Sequence, residues 1–284
     1  MNILITGSNG QLGNEFRQLE SKYKEHKFFF TDVDDLDITD TEKSAKFIKS
    51  NSIQVCINCA GYTAVDKAEN DKIQAMLVNA TAVKSLATAC AKINALFVHI
   101  STDYVFEGKN YKPYTENDTA SPKSIYGKTK LDGEIEVIFN AKRALIFRTS
   151  WLYSSFGNNF VKTMVEKGKE LDELRVVYDQ IGSPTYAADL AETILSIMEK
   201  VPSKMRTEIY NFSNEGIASW YDFAKAIFDI KNIDCKLVPV PSKEYKTDAA
   251  RPFYSVLDKT KVKKDFGITI PYWRDSLKRC LDML

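Results

Sequence analysis

The stretch ILITGSNGQLG, residues 3–13, decides the fold. A short apolar run leads through Gly7, Gly10 and Gly13 into a segment with helical periodicity. Glycines at this spacing permit a tight turn, close approach of the backbone to a pyrophosphate, and close packing of a helix on a strand. The helix N-terminus adds amide N–H groups and positive partial charge. Glycine is common in ordinary turns, but the strand–loop–helix context favours a dinucleotide-binding loop.

Outward from this loop, the first half of the chain alternates short apolar runs with amphipathic stretches. Strands that are apolar throughout and separated by helices indicate a parallel sheet covered on both faces. The predicted strands are 2–6, 27–33, 53–60, 96–102 and 144–150. The predicted helices are 11–23, 41–51, a helix within 71–94, and 126–139. We therefore predict an α/β fold, a Rossmann-type doubly wound parallel sheet.

After Trp151 the pattern loosens, and no alternating core of its own is evident. This half predicts helices at 158–170, 186–200 and 219–230, a strand at 208–214, and a Pro-interrupted edge strand with a loop at 236–245. We expect an NAD(P)-binding Rossmann domain at 1–150, to which 186–204 returns. Residues 151–284 are expected to form mainly a smaller, interleaved substrate-binding lobe.

Composition excludes several classes of partner. The chain has 284 residues with 39 basic and 38 acidic side chains, a net charge of +1, so neither nucleic acid nor a membrane is an expected partner. No secretory signal or membrane-spanning run is evident, and we expect a cytoplasmic protein. The five cysteines are an odd number, which argues against a disulfide framework. Cys56 and Cys59 lie three apart in a predicted strand and point to opposite faces, so two buried thiols are expected rather than a metal or redox pair.

Several residues at the ends of predicted strands are candidates for contact with the cofactor. Asp32, nineteen residues after Gly13, would accept hydrogen bonds from ribose hydroxyls and favour NADH, although its neighbours still admit NADPH. The alternative is a helix cap or a surface acidic loop. Small residues at Ala60 and Gly61 would lie against the cofactor or simply allow a close turn. The predicted cofactor-binding residues are Gly7, Gly10, Gln11, Leu12, Gly13, Asp32, Asp37, Ile38, Ala60, Gly61, Tyr62, Thr63, Tyr126 and Lys130.

The segment SPKSIYGKTK, residues 121–130, supplies a candidate reaction centre. Tyr126 and Lys130 lie one helical turn apart on the same face. A nearby ammonium would lower the pKa of the phenol and help it to donate a proton to a carbonyl. Thr102 ends the strand at 96–102, where its hydroxyl would reach the same carbonyl oxygen. Each residue alone has a structural alternative: Tyr126 and Lys130 could be an exposed pair on a helix, and Thr102 could be a cap at the end of a strand. Together, however, the three follow the glycine loop in the order needed for carbonyl reduction by hydride.

Further motifs follow in order along nearly the whole chain: TGSNGQLG (6–13), TAVDKAE (63–69), STDYVF (101–106), YGKTKLDGE (126–134), FRTSWLY (147–153), GNNFVKTM (157–164), DQIGSPT (179–185) and RP (251–252). With this set the chain resembles the dTDP-4-dehydrorhamnose reductase family of extended short-chain dehydrogenases/reductases. The resemblance implies NADH- or NADPH-dependent reduction of the C4 ketone of dTDP-6-deoxy-L-lyxo-4-hexulose to dTDP-L-rhamnose. It makes Tyr126 the proton donor, Lys130 its support, and Thr102 the carbonyl contact.

The resemblance also implies a set of substrate-binding residues. Val65, Asp103 and Trp151 would lie near the sugar, with Asp103 accepting from its hydroxyls. Asn159 and Arg251 would lie near the nucleotide end. The structural alternatives are a core position for Trp151, a helix cap for Asn159 and a surface ion pair for Arg251.

Some questions stay open at the level of sequence. Glu15 matches a position used by metal-linked dimers in some family members, but a surface glutamate is the simpler interpretation, and no metal is predicted. The sequence is compatible with a monomer or a homodimer, and with a nucleotide sugar that carries thymine or uracil. The rivals are an epimerase or dehydratase of the same fold and a non-catalytic regulatory subunit. Dehydratases usually carry an acidic pair after the threonine, whereas here Asp103 is followed by Tyr104.

Overall fold

In the computed structural model, which describes residues 1–284, strands and helices alternate through the first half of the chain. The strands are β1 (Asn2–Thr6), β2 (Lys27–Thr31), β3 (Val55–Asn58), β4 (Leu96–Thr102), β5 (Ala144–Thr149), β6 (Leu152–Tyr153), β7 (Glu173–Val177), β8 (Ile181–Gly182), β9 (Thr185–Tyr186), β10 (Thr207–Phe212), β11 (Ala218–Ser219) and β12 (Lys236–Val240). The helices are α1 (Gln11–Leu19), α2 (Thr41–Ser50), α3 (Val65–Ala68), α4 (Lys72–Met76), α5 (Ala82–Lys92), α6 (Ile125–Asn140), α7 (Phe160–Glu170), α8 (Ala187–Met198), α9 (Trp220–Lys231), α10 (Thr260–Phe266) and α11 (Trp273–Leu281). None of these helices is both long enough and apolar enough to cross a membrane.

The central sheet has six parallel strands in the order β10-β5-β4-β3-β1-β2. Strand β1 pairs with β2 on one side and β3 on the other, so the strand order reverses there. In open α/β sheets, the crevice at the carboxyl ends of the strands beside such a reversal is where ligands bind. The predicted Rossmann-type sheet is therefore confirmed.

Alternate residues of the buried strands pack on opposite faces of the sheet. Ile3 and Ile5 of β1 belong to a core of 24 buried residues on one face, whereas Leu4 belongs to a core of 17 on the other. Side chains alternate with a period of two along a strand, and both faces are covered, so the whole strand is apolar. Cys56 is buried in the second core, as expected, whereas Cys59 follows β3, is half-buried and packs against the first core. Both thiols are free.

Part of the second half of the chain returns to this sheet. Strand β10 forms its edge, and Leu190 and Ile194 of α8 are fully buried in the same core as Ile3 and Ile5. These contacts join residues on both sides of the proposed boundary between the Rossmann domain, 1–150, and the substrate-binding lobe, 151–284. The division into these two domains stays a prediction.

The expectation that the second half lacks a core of its own is wrong. Sixteen buried residues between Tyr153 and Leu281 form a separate core, which includes Val161 of α7, Phe223 of α9 and Leu277 of α11. Helices α10 and α11 and strand β7 have no counterpart among the predicted elements. In α10 only Val262 and Phe266 are buried, too few positions to make its periodicity visible in the sequence.

The predicted helix within 71–94 is interrupted. Between α4 and α5, residues Leu77–Thr81 form a π-helical turn that contains the buried Asn79. Single π-helical turns inside α-helices are frequent at functional sites. Helix α1 also ends at Leu19 and continues as a 3₁₀ turn, Glu20–Lys22, rather than reaching residue 23.

An ion pair is buried between the sheet and α6. The guanidinium of Arg148 in β5 donates from Nε to Glu134 Oε1 at 2.9 Å and from Nη2 to Glu134 Oε2 at 2.7 Å. Ser101 in β4 donates to the same carboxylate at 2.5 Å. Both charged side chains are at least 95% buried, so either would be left without solvation if its partner were removed.

Replacing one member of this pair should therefore destabilise the protein strongly. We expect Arg148→Met to lower the free energy of unfolding by about 3–5 kcal/mol, because the Glu134 carboxylate would remain buried without its partner. Denaturant unfolding measures this loss. The double variant Arg148→Met/Glu134→Leu should recover much of it. Equal losses in the single and double variants would show that the unpaired charge is not the cause.

Candidate active site

One cleft of about 890 Å³ opens at the carboxyl ends of the sheet strands. Nineteen of the residues proposed from the sequence line it: Gly7, Gly10, Gln11, Leu12, Gly13, Asp32, Asp37, Ile38, Ala60, Gly61, Thr63, Val65, Thr102, Asp103, Tyr126, Lys130, Trp151, Asn159 and Arg251. Tyr62 does not line the cleft. Cofactor and substrate candidates from distant parts of the chain thus share a single cavity.

The glycine loop is shaped for close approach. Gly7 adopts a φ of +63°, and a Cβ atom there would lie 2.6 Å from the backbone of Ala60. A Cβ on Gly13 would lie 2.4 Å from the Cα of Ser8, so only glycine lets α1 begin so close to the loop. The N-cap residue Gly10 has no side chain to bond the first amides of α1. These amides are therefore available to an anion. The loop therefore fits a dinucleotide pyrophosphate.

Asp32 braces this loop from the end of β2. Its Oδ2 accepts from the Asn9 N–H at 2.8 Å, and its Oδ1 accepts from the Val33 N–H at 2.8 Å. A carboxylate has about four acceptor positions, so two remain for ribose hydroxyls. Asp37 Oδ1 accepts from the Thr39 N–H and hydroxyl, each at 2.8 Å, and Asp40 caps α2 by accepting from the Lys43 N–H at 2.9 Å.

Asn79, which the sequence analysis missed, clamps the segment after β3. Its Oδ1 accepts from the Tyr62 N–H at 2.8 Å, and its Nδ2 donates to the Tyr62 carbonyl at 3.1 Å. The same Nδ2 donates to Thr129 Oγ1 at 3.1 Å. Asn79 thus joins the cofactor-side loop to the helix that carries Tyr126 and Lys130. An asparagine within the apolar run LVNATAV was the available signal.

Helix α6 brings the phenol and the ammonium to the end of β4. Ser124 caps it by accepting from the Gly127 N–H at 3.1 Å. A Cβ on Gly127 would lie 2.3 Å from the Tyr104 carbonyl, so glycine lets the helix approach this turn. Lys130 Nζ donates to the Ile100 carbonyl at 2.5 Å. The rings of Tyr126 and Tyr104 meet edge to face with centroids 5.6 Å apart.

Burial controls the ionisation of this pair. It raises the pKa of the Tyr126 phenol, and the neighbouring Thr102 hydroxyl only partly opposes it. Burial also lowers the pKa of Lys130 to about 8, against the attraction of Glu134. The sequence-based expectation that the ammonium lowers the phenol's pKa is therefore wrong for the protein without cofactor: desolvation raises this pKa, and the group that opposes the rise is the Thr102 hydroxyl, not Lys130.

The Asp103 carboxyl is enclosed, not open to solvent. The residue is 2% exposed, and its Oδ1 accepts from the Thr102 hydroxyl at 3.0 Å. The buried Ser255 hydroxyl lies beside it, yet neither that hydroxyl nor Asp103 Oδ2 makes a hydrogen bond of normal geometry. Burial raises the pKa of Asp103 to about 6, although hydrogen bonds oppose the shift.

Aromatic rings form the wall contributed by the second half of the chain. Trp151 adopts a φ of +48° and stacks on Trp220 with ring centroids 3.6 Å apart. Phe160 packs against Trp220 at 4.7 Å. One face of Trp151 is therefore covered, so a sugar could contact only the rest of the ring. Trp220 and Phe160 were missed, because isolated aromatic residues in amphipathic helices look like core positions.

Arg251 enters the cleft from the C-terminal segment. Its guanidinium pairs with Asp66 through Nη2 and donates from Nη1 to the Tyr104 hydroxyl at 3.1 Å. Asp66 also accepts from the Ala249 N–H at 3.0 Å. Arg251 thus has the ion pair considered as its structural alternative, and it still lines the cleft. Asn159 likewise caps α7, accepting from the Lys162 N–H at 3.2 Å, while its Nδ2 donates to the Ser154 carbonyl at 2.7 Å.

Comparison with known proteins agrees with this geometry. The family model described as "RmlD substrate binding domain" matches residues 1–284. The chain belongs to this family. A protein of Aggregatibacter actinomycetemcomitans named dTDP-4-dehydrorhamnose reductase is 41% identical over 97% of each chain. A crystal structure of a dTDP-4-dehydrorhamnose reductase from Clostridium acetobutylicum is 44% identical, with a TM-score of 0.95 over 100% of this chain and 99% of that one. The enzyme of the same name from Bacillus anthracis, solved with NADP, is 38% identical, with the same TM-score and coverage.

Within the RmlD family fold, Glu15 does not take the surface position expected for it. It is 4% exposed, and its Oε1 accepts from the Ser154 hydroxyl at 2.6 Å. Burial raises the pKa of its carboxyl. Glu15 therefore fastens α1 to the segment after β6, a long-range contact that helical periodicity alone does not reveal.

The burial of Asp103 predicts an unusual dependence of stability on pH. Its pKa is raised from 3.8 to about 6, so the folded state binds the proton more tightly than the unfolded state. Stability is therefore lost as pH rises from the unfolded pKa to the folded one. Between about pH 4 and pH 8, we expect the stability of Asp103→Asn to rise relative to the wild type by about 2–3 kcal/mol.

Denaturant unfolding of both proteins at the two pH values measures this difference. Asp118→Asn is a control of opposite sign, because hydrogen bonds from Thr115 lower the pKa of Asp118. A difference between Asp103→Asn and the wild type that stays constant with pH would mean that burial does not shift Asp103.

Proposed function

We propose that this protein is a dTDP-4-dehydrorhamnose reductase that reduces the C4 ketone of dTDP-6-deoxy-L-lyxo-4-hexulose to dTDP-L-rhamnose with NADH or NADPH. The observation that carries the proposal is the meeting of Thr102, Tyr126 and Lys130 in the cleft that the glycine loop also lines. The names of relatives about 40% identical over nearly the full chain support the same reaction.

The residues of the loop fit the cofactor, which would supply the hydride when bound. The first amides of α1, with Gly7 and Gly13, would hold its pyrophosphate. The free acceptor positions of Asp32 would receive its ribose hydroxyls. The NADP complex of the Bacillus anthracis relative supports a nicotinamide cofactor for this chain too.

The proton in this reaction would come from Tyr126. As C4 accepts a hydride, negative charge develops on the ketone oxygen, and the Tyr126 hydroxyl donates its proton there to complete the alcohol. Its raised pKa keeps the phenol protonated until that moment. Thr102, beside it at the end of β4, contributes a second polar group at the same oxygen.

Lys130 would stabilise the phenolate that remains on Tyr126. Its ammonium is fixed one turn away by the Ile100 carbonyl, and Glu134, the next turn along α6, favours its charged form. With a pKa of about 8, most Lys130 is cationic at neutral pH. The phenolate would therefore form one helical turn from a cation that is itself buried and so little screened by water.

The rest of the cleft would bind the nucleotide sugar. Val65 and the uncovered part of the Trp151 ring offer apolar contact to the hexose, as aromatic rings do for sugar faces. Arg251 has N–H donors beyond those used by Asp66 and Tyr104 and would meet the diphosphate. We assign Asn159 to shaping the loop at the nucleotide end through its cap of α7.

The direct test is an assay with keto-sugar nucleotide prepared in situ by the preceding enzymes. We expect the near-ultraviolet absorbance of NADH or NADPH to fall, with one dTDP-L-rhamnose formed for each reduced cofactor consumed. Product analysis by chromatography fixes the sugar, and the two cofactors can be ranked by kcat/KM. Cofactor binding without oxidation by this substrate would overturn the proposal.

Tyr126→Phe tests the proton donor. The variant removes only the hydroxyl, so we expect kcat to fall by about 100-fold or more while the Kd of NADPH stays near that of the wild type. Fluorescence titration with NADPH measures binding independently of turnover. Tyr111→Phe, at a tyrosine that is 88% exposed, is the matched control. Turnover by Tyr126→Phe at the wild-type rate would exclude the phenol as the acid.

A further inference from the structure

The single hydroxyl proton of Thr102 is already in use. Thr102 Oγ1 donates to Asp103 Oδ1 at 3.0 Å and accepts from the Tyr104 N–H at 3.2 Å. A hydroxyl has one proton and two lone pairs. While Thr102 donates this proton to the ionised Asp103, the proton is not available to the developing oxyanion.

Protonation of Asp103 reverses this arrangement. A neutral carboxyl can donate its own proton to Thr102 Oγ1, which frees the threonine proton to point elsewhere. The surroundings favour this neutral form, since Asp103 is 2% exposed and its Oδ2 lacks a hydrogen-bond partner. A buried carboxylate with an unsatisfied oxygen is costly, whereas the neutral acid loses much less on burial.

Few charges act on Asp103 from the elements packed around it. The nearest titratable groups are the phenols of Tyr104 in its own turn and Tyr126 in α6, while Ser255 of the C-terminal segment faces it as a neutral hydroxyl. Arg251 and Asp66 lie beyond the Tyr104 hydroxyl, paired with each other. Lys130 lies one turn beyond Tyr126 and donates to the Ile100 carbonyl. No cation is hydrogen-bonded to Asp103.

We propose that Asp103 is a positioning residue that works as the neutral acid: it donates its proton to Thr102, and so turns the Thr102 hydroxyl into a second hydrogen-bond donor to the ketone oxygen. Tyr126 transfers the proton to the substrate, whereas Thr102 and Asp103 only share theirs. The inference rests on the proposed reductase function. A bound nucleotide sugar would exclude remaining water and bring its anionic diphosphate, and both effects favour the neutral carboxyl further.

The consequence is a fall in kcat with rising pH that belongs to Asp103. Burial raises its pKa to about 6 before substrate binds. Substrate binding would raise the pKa of Asp103 further. Above this raised pKa, the site loses one of its two hydrogen-bond donors to the ketone oxygen. Loss of one such donor costs about 100-fold in kcat. Lys130, with a pKa of about 8, can give a second fall at higher pH.

The test is the pH profile of kcat, at saturating substrate and NADPH, for wild type, Asp103→Asn, Thr102→Val and the double variant. The amide of Asp103→Asn cannot ionise, and its N–H can donate to Thr102 at every pH, so we expect the lower-pH fall to disappear. Thr102→Val should be slower by about 100-fold and lack the same fall, since no donor remains to be switched. The double variant should match Thr102→Val, because Asp103 acts only through Thr102.

Two results would overturn the inference: a lower-pH fall that persists in Asp103→Asn, or an Asp103→Asn rate that drops to the Thr102→Val level at every pH. NADPH titration of each variant shows whether it is folded and binds cofactor. A wild type that binds NADPH but does not reduce the keto-sugar nucleotide would instead contradict the proposed function itself.

Discussion

The contact between Gly7 and Ala60 is the constraint on which the rest of the site depends. The two backbones meet where the sheet order reverses, closely enough that a single Cβ on Gly7 would lie 2.6 Å from Ala60. This contact sets where the loop turns, where α1 begins and where the segment after β3 passes. The cleft is therefore fixed by backbone packing, and its side chains are added to a frame that is already rigid.

Desolvation shifts the pKa of every titratable group in the proposed reaction centre. Burial raises the pKa of Tyr126 and Asp103 and lowers that of Lys130, so each group is pushed toward its neutral form. Reduction of a ketone needs protons held ready on neutral donors and charge only at the moment of transfer. Burial of these three side chains favours that state without any one of them being exceptional. Burial also explains why the sequence predicted the wrong direction for the pKa of Tyr126. The spacing of Tyr126 and Lys130 shows that an ammonium is near in sequence, but it does not show that the phenol is desolvated.

Much of the fold and site could be predicted because the signals are local. The glycine loop, the Tyr126–Lys130 pair and the alternation of strands each lie within a few turns of chain. The missed contacts act over distance: Asn79 reaches Tyr62 from a π-helical turn, Glu15 bonds Ser154, and Asp66 pairs with Arg251 across 185 positions. Periodicity reports which side of an element is buried, but it does not report the partner. The core of the second half was missed for the same reason, because short helices contribute only a few apolar residues each.

The pair formed by Asp66 and Arg251 shows how the two halves of the chain complete one site. The pair is neutral overall, so net charge alone would not attract a diphosphate. A guanidinium is planar and has five N–H donors, and the contacts with Asp66 and Tyr104 fix its plane while leaving donors free. Recognition would then come from directed hydrogen bonds, which distinguish a diphosphate from other anions better than charge does. Tyr104 also packs against the Tyr126 ring. Arg251, which would bind the diphosphate, is therefore linked through Tyr104 to the proton donor Tyr126. The C-terminal segment is thus part of the reaction centre and not only a cover for it.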